Sequence, residues 1–316
     1  MKDRVSVTDH IKEFSIEKKI LKEYFFSDLN KETTIALVWH KLINRDFFEN
    51  YPKIRAVVRY GVGYDNIDLE YCKRNKIIVS NTPDYGVDEV ADTALAMILS
   101  LTRKINKLSF LAKEDGNYWL GKSLNINMKR INKLKLGIIG CGRIGSSIGL
   151  KFKSFSNHVG FYDPYLPDGI EKSLKFYRFN SMKELLLNSD IVTVNTPLNQ
   201  ETSNLINESF LKAMKRGSYL INVSRGQIVK DENIIFKSLI DGHLEGFATD
   251  VWTSEPPSNI DQETVKVKEN LELEGKLIIN PHTAYFSEES IIEAREKASK
   301  TCLNIIENKL IKNKIY

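Results

Sequence analysis

Short, β-branched apolar runs recur along this sequence, and each is followed by a longer segment whose apolar residues have helical spacing. This alternation indicates parallel βα units, because parallel strands need a crossover connection and are buried on both faces. The runs form two series separated by a long helical segment. The chain is therefore predicted to be α/β, with two doubly wound parallel sheets.

Each series predicts a sheet of its own. The first contains four strand candidates, and the second contains six, which suits a Rossmann sheet. The first series predicts a smaller, flavodoxin-like sheet. The candidate strands lie at 5–9, 34–39, 54–59 and 77–81, and then at 136–139, 159–162, 191–195, 219–223, 247–251 and 277–280.

Composition excludes several classes of protein. The 316 residues are enough for two domains, and 42% apolar with 28% charged residues describes a soluble globular chain. The net charge of +5 is spread along the chain without a basic run, so nucleic acid is not an expected partner. The three cysteines are far apart and predict neither a metal site nor a disulfide framework. No stretch of about 18 apolar residues indicates a membrane span, and the charged amino terminus favours a cytoplasmic location.

A glycine motif follows the first strand of the second series. The segment GIIGCGRIG places GxGxxG at Gly140, Gly142 and Gly145, where a strand passes into a helix. Gly140 permits the tight turn, Gly142 permits close approach of a pyrophosphate, and Gly145 permits helix–strand packing. The backbones of Arg143 and Ile144 are expected to add contacts to the anion.

An acidic residue supports the dinucleotide interpretation. Asp163 ends the next strand, 18 positions after Gly145. An acid there hydrogen-bonds the adenosine ribose hydroxyls and repels a 2′-phosphate, so NAD is predicted rather than NADP. Without the glycines, an ordinary turn residue before Pro164 would be the alternative for Asp163.

The domain organisation follows from two helices. The segment from 88 to 107 predicts one long buried helix, and 116–127 predicts a loop. A last helix, with Ser287 as its cap, follows the sixth strand and can return to the first domain. We therefore predict a discontinuous substrate domain, 1–105 plus 287–316, with the NAD domain at 106–286 inserted in it.

Three side chains are candidates for chemistry. Oxidation of an alcohol needs a group that takes the proton and a cation that binds carboxylate and polarises carbonyl. His282 follows the sixth strand, Glu255 the fifth and Arg225 the fourth, all at the carboxyl edge where open α/β sheets bind ligands. An arginine before a glycine is usually a surface residue, so it is the convergence of three strand ends that favours a site. His10, His40, His158 and His243 are predicted to be structural or exposed.

These residues resemble the D-isomer-specific 2-hydroxyacid dehydrogenase family over nearly the whole chain. The matching motifs appear in order as VGYDNIDL at 62–69, NTPDYGVDEVADTALAMIL at 81–99, GIIGCGRIGSSIG at 137–149, NTPLNQET at 195–202, LINVSRGQIV at 220–229, DVWTSEPP at 250–257 and PHTAY at 281–285. The resemblance implies that Arg225 binds substrate, that Glu255 supports the histidine, and that His282 is the acid/base.

The resemblance implies further residues and properties. It implies that the N–H groups of Val62 and Gly63 receive the substrate carboxylate. It also implies that the nicotinamide half of NAD is lined by Thr196, Val223, Ser224 and Asp250. For Thr196 and Ser224, bonding to local backbone is the alternative. A D-2-hydroxy acid product and a homodimer, packed through 88–107 and 108–130, are likewise implied.

Two alternatives stay open. Some local features resemble the branch that contains the C-terminal-binding proteins, so an NAD-binding scaffold with little turnover is the rival to a small 2-oxo or 2-hydroxy acid dehydrogenase; Tyr285 departs from the tryptophan of those corepressors. The other alternative changes the substrate, to formate, phosphite or a phosphorylated hydroxy acid, for which Arg59 is the nearby basic candidate.

Overall fold

The computed structural model describes residues 3–9, 11–114, 119, 128–255 and 275–316. The chain divides into two compact units, one made of Met1–Gly86 with Phe286–Tyr316 and the other of Val87–Tyr285. Each unit contains a sheet whose strands pair in parallel, which confirms the α/β prediction. His10 and the predicted loop at 116–127, apart from Trp119, lie outside the described residues.

The first unit has a four-stranded sheet in the order β1-β2-β3-β4. Phe25 forms a parallel bridge beside β1, so the order matches the flavodoxin pattern once this short segment is counted as the second strand. The elements are β1 (Val5–Val7), α1 (Ser15–Leu21), β2 (Ile35–Val38), α2 (Arg45–Asn50), β3 (Ala56–Arg59), α3 (Leu69–Arg74) and β4 (Ile78–Ser80), with α11 (Glu288–Ile306) from the end of the chain.

The last helix begins as the sequence predicts. Ser287 caps α11, and its hydroxyl accepts the N–H of Ser290 at 2.9 Å while Ser290 reciprocates in a capping box. Helix α11 packs against α1, where Arg295 forms an ion pair of 2.6 Å with the fully buried Glu17. This ion pair joins the last helix to the first helix of the same unit.

The second unit has a seven-stranded sheet in the order β11-β10-β9-β8-β5-β6-β7, the Rossmann order with one strand added at an edge. Six strands match those predicted from the sequence. The two-residue β7 was not predicted, because it is too short to have a hydrophobic period. The strands are β5 (Leu136–Ile139), β6 (Val159–Tyr162), β7 (Tyr177–Arg178), β8 (Ile191–Val194), β9 (Ser218–Asn222), β10 (Leu244–Thr249) and β11 (Leu277–Ile279).

Helices cover both faces of this sheet. Its buried residues form two hydrophobic clusters, one containing Ile138 and Phe161 and the other Val192 and Leu220. The helices are α4 (Val87–Thr102), α5 (Ile105–Glu114), α6 (Arg143–Phe152), α7 (Ile170–Leu174), α8 (Met182–Asn188), α9 (Glu208–Ala213) and α10 (Glu232–Ile240).

The prediction of one helix from 88 to 107 is wrong, because the structure has two. Helix α4 ends at Thr102, and Lys104 adopts a left-handed backbone with φ of 53° before α5 begins. The ammonium group of Lys104 is buried in an ion pair with Glu245 of β10. Helical periodicity continues through the break, so the apolar pattern did not reveal it.

The boundary between the units also differs from the one expected at 105. The structure places α4 in the second unit, where it packs against α6, β9 and β10. Gly246 permits this packing, since a Cβ there would lie 2.9 Å from the side chain of Leu101. Among the described residues, no helix has both the length and the apolar character needed to cross a membrane.

Candidate functional site

The three candidate residues for chemistry follow adjacent strands. Strands β9, β10 and β11 are neighbours in the sheet and run in parallel. Arg225 comes three residues after the end of β9, Glu255 lies in the segment after β10, and His282 follows β11. The structure thus brings all three to the carboxyl edge of one sheet, as the strand pattern predicts.

Glu255 and His282 form a direct hydrogen bond. The Nδ1 atom of His282 lies 2.5 Å from Oε2 of Glu255, and the other carboxylate oxygen accepts the N–H of Trp252 at 2.8 Å. An ionised carboxylate only accepts hydrogen bonds, so Nδ1 of His282 is the donor. Nε2 is then the ring nitrogen left to exchange a proton with a substrate.

The electrostatics of Glu255 favour the carboxylate. Burial by itself would raise the pKa of Glu255, but the hydrogen bonds from His282 and from the N–H of Trp252, with the positive charges of His282 and Arg225, bring the pKa below its usual 4.5. Glu255 therefore remains ionised at neutral pH and accepts the hydrogen bond from Nδ1 of His282 as a carboxylate.

The backbone that carries His282 is held by Asp250. His282 has a left-handed conformation with φ of 55°, and its N–H donates to the carbonyl of Asp250 at 2.8 Å. The carboxylate of Asp250 accepts the N–H groups of Thr283 at 2.9 Å and Ala284 at 3.0 Å. Burial raises the pKa of Asp250, while these two N–H groups lower it. Asp250 thus fixes the turn that presents the imidazole.

Arg225 is half-buried directly after β9. The side-chain amide of Asn222 donates to the carbonyl of Arg225 at 3.0 Å, which closes the turn at the end of the strand. One guanidinium nitrogen donates to the carbonyl of Ser224 at 2.8 Å. A guanidinium has five N–H donors in a planar fork, which suits a carboxylate or a carbonyl oxygen.

The glycine motif adopts the geometry of a phosphate-binding turn. Gly140 has φ of +82°, and a Cβ at Gly145 would lie 2.2 Å from the carbonyl oxygen of Gly140, so both positions require glycine. A Cβ at Gly142, in contrast, would meet nothing within 4 Å. That open space lies at the N-terminus of α6, which no side chain of the described residues caps. The arrangement fits a pyrophosphate.

Asp163 lies beside this turn. One carboxylate oxygen accepts the N–H of Cys141 at 3.0 Å and the other accepts the N–H of Tyr165 at 3.0 Å. The acid predicted to bind ribose therefore contacts the glycine turn directly. Arg143 is exposed, whereas Ile144 packs against the core of the unit.

The residues predicted to line the nicotinamide differ in their bonding. The Oγ1 atom of Thr196 is buried and has no hydrogen-bond partner within the described part of the chain, which fits a polar group of a bound dinucleotide. The hydroxyl of Ser224 instead donates at 2.7 Å to the carbonyl of Val194 on the neighbouring strand β8, so its backbone partner is not a local one. Val223 is a buried core residue.

Val62 and Gly63 belong to the first unit. They follow β3 in a loop held by Asn81, whose amide donates to the carbonyl of Val62 at 2.7 Å, and by Thr82, whose N–H donates to the carbonyl of Gly61 at 3.0 Å. The N–H groups of Val62 and Gly63 themselves bond to no other described residue. They fit an anion, and their role in binding substrate stays a prediction.

Sequence reasoning missed the structural role of Asp250. Asp250 was expected only along the cofactor, whereas its carboxylate binds the turn that carries His282. One signal could have indicated this role. Asp250 directly follows β10, and His282 follows the neighbouring strand β11, so the two residues lie at the same edge of the sheet.

Comparison with known proteins identifies relatives over most of the chain. The model of the D-isomer specific 2-hydroxyacid dehydrogenase NAD-binding domain matches residues 95–284. A glyoxylate reductase of Pyrococcus horikoshii is 34% identical over 281 residues, which are 82% of this chain and 82% of that protein. C-terminal-binding protein 1 of Caenorhabditis elegans is 31% identical over 85% of this chain, but the match spans only 37% of that longer protein.

A solved structure is also similar along nearly the full length. A D-lactate dehydrogenase of Aquifex aeolicus, in complex with NAD and lactic acid, has a TM-score of 0.85 and 27% sequence identity, with 99% of each chain covered. The cofactor of this chain is NAD, since the matched domain is an NAD-binding domain and the glycine turn is intact.

Proposed function

Because this chain belongs to the D-isomer specific 2-hydroxyacid dehydrogenase family, an NAD-binding oxidoreductase family, we propose that it reversibly reduces a small 2-oxo acid to the D-2-hydroxy acid. The observation that carries the proposal is the 2.5 Å hydrogen bond between Nδ1 of His282 and Glu255 at the carboxyl edge of the NAD sheet. A scaffold that only binds NAD has no need of an oriented acid/base.

Each side chain has a defined part in the reaction. NADH, when bound, would supply the hydride for the carbonyl carbon and leave as NAD⁺. Arg225 binds the carboxylate and the carbonyl oxygen and stabilises the negative charge that develops on that oxygen. His282 gives the proton on Nε2 to the same oxygen, so that one hydride and one proton complete the alcohol. Glu255 keeps the imidazole oriented and stabilises its positive charge before the transfer.

The substrate is proposed to be a short, unphosphorylated 2-oxo acid such as glyoxylate or pyruvate. The support comes from relatives, a glyoxylate reductase and a D-lactate dehydrogenase that binds lactic acid. We further propose that the N–H groups of Val62 and Gly63 receive the carboxylate, and that the protein is a homodimer in the cytoplasm.

The test is NADH oxidation, measured as absorbance at about 340 nm, with a panel of short 2-oxo acids and with His282→Gln alongside. General acid/base catalysis contributes about 10²- to 10⁴-fold, so the variant should lose at least about 100-fold in kcat while it still binds NADH. His158→Gln is the matched control, since His158 is exposed and directly precedes β6, and it should keep full activity. Chiral analysis of the lactate formed from pyruvate tests D-specificity, since the glycolate formed from glyoxylate is achiral, and light scattering tests the dimer.

The rival is a scaffold related to the C-terminal-binding proteins, which the Caenorhabditis elegans relative supports. Tight NADH binding without turnover of any acid, and with no difference between wild type and His282→Gln, would establish the scaffold and overturn the dehydrogenase.

A further inference from the structure

An exposed hydrogen bond joins two loops on either side of the glycine turn. Tyr165 lies in the segment after β6 and Glu201 in the segment after β8, and the Tyr165 hydroxyl donates to a carboxylate oxygen of Glu201. The sheet order β8-β5-β6 places these segments on opposite sides of the turn that follows β5. The bridge therefore joins the two segments that flank the turn predicted to receive the dinucleotide phosphates.

Both segments contact the glycine turn itself. On one side, the N–H of Cys141 in the turn donates to Asp163 at 3.0 Å. On the other side, a Cβ at Gly140 would lie 2.9 Å from the methyl group of Thr196. The bridge thus connects the segment after Asp163, which is expected to bind the adenosine ribose, to the segment after Thr196.

Both ends of the bridge are built into the fold. The N–H of Tyr165 donates to Asp163 at 3.0 Å, and Arg178 donates to the carbonyl of Leu166 at 2.6 Å, which holds the loop after β6. In the segment after β8, the N–H of Glu201 donates to the side chain of Asn199 at 2.9 Å, which fixes the conformation of that segment. Tyr165 is nonetheless 73% exposed, so packing does not explain its position.

We propose that Tyr165 and Glu201 form a latch over the adenosine half of the NAD site, in which Glu201 is a second determinant, besides Asp163, of selectivity against a 2′-phosphate. The Tyr165 hydroxyl holds the carboxylate of Glu201 beside the NAD site, and the hydrogen-bonded pair slows release of the bound dinucleotide. The negative charge of Glu201 repels the 2′-phosphate of NADPH, a group that NADH lacks.

Two conservative variants separate the hydrogen bond from the charge. Glu201→Gln keeps an acceptor for Tyr165 but removes the charge, and repulsion between one carboxylate and a doubly charged 2′-phosphate about 8 Å away in water corresponds to roughly fivefold in binding. The ratio of the NADPH and NADH dissociation constants should therefore fall roughly fivefold. Tyr165→Phe removes only the hydroxyl, and NADH should dissociate roughly threefold faster, the effect of one net hydrogen bond.

The measurement is binding alone, by nucleotide fluorescence at equilibrium and by stopped flow, so its outcome does not depend on which acid the protein reduces. The matched controls are Tyr177→Phe and Glu184→Gln, an exposed Tyr–Glu pair at 3.5 Å in the same unit but at the start of β7 and in α8. An unchanged selectivity in Glu201→Gln, an unchanged NADH release rate in Tyr165→Phe, or equal effects in the controls would each overturn the latch.

Discussion

Both carboxylate oxygens of Asp250 accept the backbone N–H of Ala284, each at 3.0 Å. This contact joins the end of β10 to the turn after β11, two residues beyond His282. Asp250, which was expected only to line the cofactor, therefore holds the turn that positions His282.

Asp250→Asn should lower kcat about tenfold. An amide replaces one of the two carboxylate oxygens by an NH2 donor, which would face a backbone N–H that the lost oxygen accepted, and a buried donor without an acceptor costs about 1–3 kcal/mol. The measurement is kcat together with the melting temperature. Asp241→Asn is the matched control, since exposed Asp241 accepts the N–H of His243 at 2.8 Å in a turn away from the site. Equal kcat values in the two variants would contradict the role of Asp250.

Arg225→Lys should reduce kcat/KM for the 2-oxo acid by roughly 10- to 100-fold. A lysine retains the charge but loses the planar fork, and a charged hydrogen bond contributes about 1.5–3 kcal/mol. Steady-state kinetics measure this loss, and the NADH dissociation constant should change little. Arg216→Lys, a surface change in the same unit, should behave as wild type. If both lysine variants retain kcat/KM, Arg225 does not bind the substrate.

Glu255→Gln should change how stability depends on pH. The pKa of Glu255 is lower in the folded protein than its usual 4.5, so the unfolded chain takes up the proton first as pH falls. The stabilisation by this carboxylate is therefore present above about pH 4.5 and is lost as pH falls through the folded pKa. Melting temperatures of wild type and variant should differ near neutral pH and converge in acid. A difference that widens as pH falls would refute this assignment.

Two glycines of one motif should respond differently to alanine. Gly145→Ala places a Cβ 2.2 Å from a backbone oxygen and should destabilise the unit by about 1–3 kcal/mol or more. Gly142→Ala has space for its Cβ and should melt as wild type does, yet it should weaken NADH binding, because the methyl group occupies the space of the pyrophosphate. Thermal melts and NADH titration of both variants test the pair. Unweakened NADH binding by Gly142→Ala would show that the phosphates lie elsewhere.

Much of the architecture could be predicted because it is encoded locally. Buried parallel strands appear as short apolar runs, and the glycine motif appears between a strand and a helix. Because parallel strands share a carboxyl edge, Arg225, Glu255 and His282 could be assigned to one site before any distance was known. Prediction failed at β7, because two residues are too short to show a period. It also failed at Lys104, because the helical period continues through the break between α4 and α5.

The sequence by itself determined the α/β class, the NAD motif and the three residues at the strand ends, since these depend on periodicity and on residue type. Only the tertiary structure decided that Asp250 holds the turn of His282, that α4 belongs with the NAD sheet, and that Tyr165 meets Glu201. Those features arise from contacts between residues far apart in the chain, and no local pattern specifies which distant partner a side chain will meet.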